Sequence, residues 1–196
     1  MTAHTSVARG FQPGDPTLRD DQARLGLWMF LATVTMLFAA FTSAYIVRRS
    51  GSDWRHVALP PILWANTIVL LASSVALEAA NRAGCRRRWQ AAAFASGSAL
   101  ALGVAFLFGQ VTAWRQLVNA GVYLGSSPHS SFFYMLTGAH ALHVVAALAV
   151  LAWGLLQTRV AASDPRTWSV RMDLCRTFWH YLGGVWIFLF ALVSLY

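Results

Sequence analysis

Four ionisable side chains stand inside long apolar stretches of this chain: Glu78, His140, His143 and His180. An ionisable group is costly in hydrocarbon, so each is a candidate for chemistry or for a specific contact. His140 and His143 are three residues apart, which on a helix puts both on one face near mid-membrane. A His-x-x-His pair can ligate a metal or a haem. A metal centre takes three or four ligands, however, and no Cys, Asp or Glu stands at that depth. The alternatives are neutral histidines hydrogen-bonded within a helix bundle, and contacts to lipid or along a proton path. His180 lies about one turn inside the start of its span, within reach of an interface or a neighbouring helix. Glu78 precedes Arg82 by four residues, the spacing of an ion pair on a helix surface. Proton collection is the other role open to it. The chain contains no Cys-x-x-Cys-His, no phosphate-binding loop, no nucleophile elbow and no Gly-x-Gly-x-x-Gly. It therefore offers no catalytic, cofactor-binding or metal-binding set of its own, only polar positions suited to lipid or structural contact.

Five apolar segments must position these groups: Leu25–Val47, Pro60–Ala80, Ala91–Ala113, Phe132–Leu156 and Phe178–Tyr196. Each approaches the roughly 20 residues that a helix needs to cross about 30 Å of hydrocarbon. The chain is 57% apolar and 11% charged, where a soluble domain carries about a quarter charged residues. The fold class is therefore all-α, an integral membrane bundle of five transmembrane helices. Residues 1–24, polar and with Pro13, Gly14 and Pro16, read as a flexible tail without the apolar core of a signal peptide. Residues 25–196 form the bundle. All fifteen basic residues are Arg, and the net charge is +8. They cluster at span ends rather than along one polar face, which argues against nucleic-acid binding. Eleven fall on one side: Arg9, Arg19 and Arg24 in the tail, Arg82, Arg86, Arg87 and Arg88 in the second loop, and Arg159, Arg166, Arg171 and Arg176 in the fourth. Arg48, Arg49, Arg55 and Arg115 fall on the other. The positive-inside rule places the N-terminus in the cytoplasm and Tyr196 outside.

Lipid gives helices no hydrophobic reason to associate, so small and hydrogen-bonding residues mark packing faces. These are Thr35, Ala39, Thr42 and Ser43 in the first span, and Thr67, Ser74 and Glu78 in the second with Asn66 and Ser73 on an adjacent stripe. The third has a ridge of Ala95, Ala99 and Gly103, with Ser96, Gly103 and Gln110 recurring every seven residues. Trp28, Trp64, Trp114, Trp153 and Trp179 lie near span ends and read as interfacial anchors. The loop Arg115–Ser130 is expected to be the longest external connection. Cys85 and Cys175 read as unpaired thiols.

The motifs, in order, resemble one family. Phe132-Phe133-Tyr134-Met135-Leu136-Thr137-Gly138-Ala139-His140-Ala141-Leu142-His143-Val144 resembles the sixth-helix signature of cytochrome c oxidase subunit III. Phe178-Trp179-His180-Tyr181-Leu182-Gly183-Gly184-Val185-Trp186 resembles its last helix. Leu63-Trp64-Ala65-Asn66-Thr67 is similar to its fourth, Phe106-Leu107-Phe108-Gly109-Gln110 with Ala113-Trp114 to its fifth, and Leu27-Trp28-Met29-Phe30-Leu31-Ala32 to its third. The resemblance runs from about Arg24 to Tyr196. It implies the short bacterial form with five helices, lacking the first two of seven. Two positions depart from the pattern: Val34 follows Thr33, and Gly183 follows His180 by three, where the family often has acids.

That resemblance implies a non-catalytic subunit of a haem–copper oxidase in the aerobic respiratory chain. The subunit would stabilise the catalytic subunit and support proton uptake and lipid organisation. Haem and copper would reside in partner subunits and none in this chain. The partners implied are the large subunit I, subunit II, a subunit IV and phospholipid, in a bacterial plasma membrane. A quinol oxidase subunit III and the related accessory protein of nitric-oxide reduction share this pattern. A small transporter would call for an internal repeat and broken helices, and neither is evident. The topology is testable: a fluorescent protein fused to the N-terminus should fluoresce, and alkaline phosphatase fused after Tyr196 should be active. The reverse pattern would contradict the orientation.

Overall fold

The computed structural model describes residues 16–51, 54, 59–156 and 165–195. Its elements are five helices: α1 (Pro16–Arg48), α2 (Ile62–Cys85), α3 (Trp89–Asn119), α4 (Pro128–Leu156) and α5 (Pro165–Leu195). All five are long and apolar enough to cross a membrane, and the described residues include no strand. Thirty-one residues of α3 or α5 rise about 46 Å, well beyond the hydrocarbon thickness. This explains where the helix ends depart from expectation. Sequence apolarity marks the hydrocarbon, whereas the backbone stays helical into the headgroup layer. Residues 16–24 of the expected tail belong to α1, and residues 1–15 lie outside the described set. Arg166, Arg171 and Arg176, expected in a loop, stand on α5. Half of the loop Arg115–Ser130 is helical, leaving 120–127, so the connection 49–61 is the longer one at that end. Arg9, Arg55, Arg159 and Tyr196 lie outside the described residues.

Helices α2, α3, α4 and α5 form a ring in which each packs on the next, and α5 closes onto α2. Helix α1 lies outside the ring and, among the described helices, packs on α4 and α5. The α2–α3 pair is the most extensive contact, and its basis is a seven-residue repeat on each helix. On α2 the buried residues are Leu63, Asn66, Leu70, Ser73, Leu77, Ala80 and Gly84. On α3 they are Ala92, Ser96, Ala99, Gly103, Phe106, Gln110, Ala113 and Leu117. This alternating three-and-four spacing is the seam of a left-handed antiparallel pair. Asn66 Nδ2 donates to the Phe106 carbonyl at 3.4 Å, and Ser73 Oγ to the Ala99 carbonyl at 3.0 Å. Seven residues along α2 thus answer seven along α3. Each such bond contributes about 0.6 kcal/mol in a membrane interior.

Glycines set the closest approaches. Trp168 of α5 lies over Gly84 and meets Trp89 edge to face at 5.4 Å. Trp179 fills the space at Gly103 and is 1% exposed. It is a core residue rather than the interfacial anchor expected, because the helix begins well before it and Gly103 makes room for the indole. Trp28, Trp64 and Trp153 are exposed as anchors should be. Trp114 is half-buried and donates to Thr137 Oγ1 at 3.1 Å. The α2–α3 turn closes through Arg87 at φ 55°, a left-handed position more often held by glycine.

The expected packing faces hold on α2 and fall differently on α1. On α2 both stripes are used: Asn66 and Ser73 meet α3, while Thr67 accepts from Trp186 Nε1 of α5 at 3.0 Å. On α1 the buried face is Leu31, Val34, Phe38 and Tyr45, and Ala39 and Ser43 point outward.

A Cβ at Gly109 would collide with the Asn66 side chain. Gly109→Ala should therefore lower bundle stability by about 1 kcal/mol or more despite the better helix propensity of Ala. Thermal unfolding in detergent measures this; a stabilised variant would show that the α2–α3 seam is looser than described.

Candidate functional site

At the arginine-rich end, charged side chains from three helices form one chain of ion pairs. Arg82 of α2 stands 3.5 Å from Glu78, as their spacing predicts. Arg176 of α5 donates to Glu78 at 3.1 Å and to Asp173 at 3.0 Å. Arg24 of α1 completes the series at 3.4 Å from Asp173. A separate pair joins Arg166 of α5 to Asp20 of α1 at 3.2 Å. The Glu78 and Arg176 side chains are about 30% exposed, too little for water to screen them fully. Glu78 is thus shared between two guanidiniums and ties α2 to α5. Arg171 lies over the Trp153 ring at 5.4 Å. Sequence reading counted Arg24 and Arg176 only toward topology and did not single out Asp173, because it began the first span at Leu25 and the fifth at Phe178. The signal was present in the Asp173–Arg176 spacing, once that segment is taken as helical.

The three span histidines are not brought together. His140 is fully buried with its ring against Phe106 at 5.9 Å and Trp186 at 5.2 Å. Neither ring nitrogen has a hydrogen-bond partner among the described residues. The expected hydrogen bond is absent there because its register sets it against two aromatic faces. His143, one turn on, turns toward α1, between Phe30 and Phe38, and its Nδ1 lies 2.7 Å from the Ala139 carbonyl oxygen. His180 is exposed on α5 beside α1. Its neighbour Tyr181 shares a hydrogen bond of 2.7 Å with Thr35 of α1. Among the described residues no group of three or more His, Cys, Asp or Glu comes together. At the opposite end a fourth histidine, His129, read from sequence as part of a loop, is buried against Trp54 and Tyr45, with centroids at 5.2 and 6.1 Å. Cys85 is exposed and Cys175 buried, both free.

The arginine-rich end is thus an ion-pair chain between helices, and His140 is packed among aromatic rings. Against that geometry, residues 14–196 match the family model described as cytochrome c oxidase subunit III. The chain belongs to that family. A probable cytochrome c oxidase subunit 3 of Mycobacterium tuberculosis (strain ATCC 25618 / H37Rv) is 28% identical over 190 residues, covering 89% of this chain and 88% of its own length. The cytochrome c oxidase subunit 3 of Corynebacterium diphtheriae is 30% identical over 189 residues, covering 89% and 88%. That of Synechocystis sp. is 29% identical over 197 residues, covering 93% and 77%. The match spans all five helices, so the fold and the in-order motifs concur. The subunit III chain is a multi-pass membrane protein of a respiratory oxidase.

Arg176→Leu leaves Glu78 and Asp173 without their shared guanidinium. It should lower stability by about 1–3 kcal/mol, and Glu78→Gln in the same chain should recover part of that loss. Unfolding midpoints of the single and double variants in detergent check this; strictly additive losses would mean that the pair is not coupled.

Proposed function

We propose that this chain is the scaffolding subunit III of a haem–copper cytochrome c oxidase, contributing no catalytic group of its own. The family match over residues 14–196 carries the reading. The subunit III motifs, in order along the five helices, support it. Haem and copper then belong to partner subunits: the large subunit I, which this chain packs against and stabilises, and subunit II, with a subunit IV beside them. The N-terminus faces the cytoplasm of a bacterium and the inner membrane holds the complex, as the arginine distribution favours.

Phospholipid is the further partner. A cleft of about 680 Å³ opens beside α1 at the arginine-rich end, lined by Phe30, Val150, Trp153 and Phe178, with Arg171 at its rim. That pairing of apolar walls with one cation suits a lipid with an anionic headgroup. Support for proton uptake acts through this ordering of the catalytic subunit and its lipids. Glu78, held by Arg82 and Arg176, serves as a helix tie rather than a proton collector.

The test is purification through a tag on this chain in mild detergent, with a visible spectrum and mass spectrometry. Haem bands, a large multi-helix partner and a copper-binding subunit are expected. A haem partner without the copper-binding subunit would favour quinol oxidation or nitric-oxide reduction. Absence of haem and of a large partner would overturn the reading in favour of a small transporter.

A further inference from the structure

Most polar side chains that face the interior of the α2–α5 ring are engaged. Asn66 and Ser73 bond to carbonyls of α3. Trp186 Nε1 donates to Thr67, Trp114 Nε1 to Thr137, and Thr137 Oγ1 in turn to the Phe133 carbonyl. Ser96, Gln110, His140 and Trp179 differ: each has buried polar atoms with no hydrogen-bond partner among the described residues. Ser96 and Trp179 leave one atom each. Gln110 leaves both Oε1 and Nε2, and His140 leaves both ring nitrogens. Gln110 of α3 is 1% exposed and His140 of α4 is fully buried.

Helix register brings these two side chains to one level. Trp114 Nε1 reaches Thr137 Oγ1 at 3.1 Å, which aligns α3 with α4 at that height. Going away from the 120–127 connection, Gln110 stands four residues from Trp114 and His140 three from Thr137. By helical rise these steps are about 6 and 4.5 Å. Both residues lie on the buried faces of their helices. The His140 ring also packs at 5.9 Å on Phe106, which is one turn beyond Gln110 on the same buried face of α3. His140 is therefore set between the levels of Phe106 and Trp114, as Gln110 is.

Phe106 and Trp186 pack on the imidazole but give it no hydrogen bond. Phe106 has no side-chain donor, and the Trp186 N–H already goes to Thr67. A neutral imidazole carries one donor and one acceptor, and a carboxamide two donors and an acceptor oxygen. A direct bond between them uses one atom of each and leaves the others unsatisfied in a low-dielectric interior, where that is costly. A water donates twice, accepts twice and needs two to four polar partners, which these atoms supply. We propose that Gln110 and His140 form a buried water-binding site between α3 and α4, in which at least one water bridges the carboxamide and the imidazole. The site is a second polar tie between these helices beside Trp114–Thr137. It lies inside the bundle and does not depend on which complex the chain joins.

The full chain is labelled with 15N-histidine, placed in lipid nanodiscs and studied by NMR, with the His140 ring signals assigned by their loss in His140→Leu. The wild-type ring is expected to show one neutral tautomer whose N–H gives a cross-peak to bound water. In Gln110→Met that cross-peak should weaken severalfold and the ring shifts should move; Thr112→Val, on an exposed face of α3, should change neither. A ring proton without a water cross-peak would overturn the proposal in favour of a direct amide–imidazole bond. Ring signals unmoved by Gln110→Met would show that the two residues share no site. Unfolding midpoints in detergent give a second reading. Each single variant leaves its partner's polar atoms unanswered and should lower the midpoint by about 4 °C or more. The double variant leaves none and should fall by clearly less than the sum; a strictly additive loss would contradict a shared site.

Discussion

Hydrocarbon can neither drive helices together by the hydrophobic effect nor satisfy a polar side chain, and that double constraint governs this bundle. Within a span a polar side chain has only protein, or water enclosed by it, to answer it, and the hydrogen bonds and ion pairs that form there hold the helices in place. On the α2–α3 seam, Asn66 and Ser73 bond to main-chain carbonyls of the facing helix. Toward α4 and α5, two tryptophans donate to threonine hydroxyls, Trp114 to Thr137 and Trp186 to Thr67. Both threonines return their own hydroxyls to a carbonyl one turn back. At the arginine-rich end the same requirement is met by charge, with Arg176 serving Glu78 and Asp173 together.

Small residues and large rings divide the packing. Gly84, Gly103 and Gly109 admit Trp168, Trp179 and Asn66 respectively, so the tightest contacts pair an absent side chain with a large or polar one. Helix α1 follows a different logic. It lies outside the ring and is held at three levels. These are the Asp20 and Arg24 ion pairs at one end, the Thr35–Tyr181 bond with His143 between two phenylalanines near the middle, and the Tyr45–Trp54–His129 aromatic group at the other. Clefts open beside α1 at two different heights. A helix attached in this way is suited to sit between its own bundle and its surroundings, as a docking subunit requires.

Much of this was legible in the sequence. Five spans, the seven-residue recurrence of Ser96, Gly103 and Gln110, the Glu78–Arg82 pair and the subunit III motifs all hold. Helix ends were not legible, because apolarity reports where lipid is, while helices such as α5 continue through charged residues that satisfy one another. That single misplacement hid Asp173 and Arg176 and made Trp179 look interfacial. The face of α1 was only partly legible: Thr35 bonds to Tyr181 and Thr42 is half-buried, while Ala39 and Ser43 face outward, because the helix packs on its Leu31, Val34, Phe38 and Tyr45 stripe.

Electron cryomicroscopy of the assembled oxidase carrying this chain tests the central claim most directly, that the chain is a scaffold held together by its own interhelical polar contacts. The expected map shows one copy of the chain beside a haem-bearing subunit, with Arg176 between Glu78 and Asp173 and Asn66 and Ser73 bonded to α3. A map in which those contacts are broken, or in which the chain has no haem-bearing neighbour, would contradict the claim.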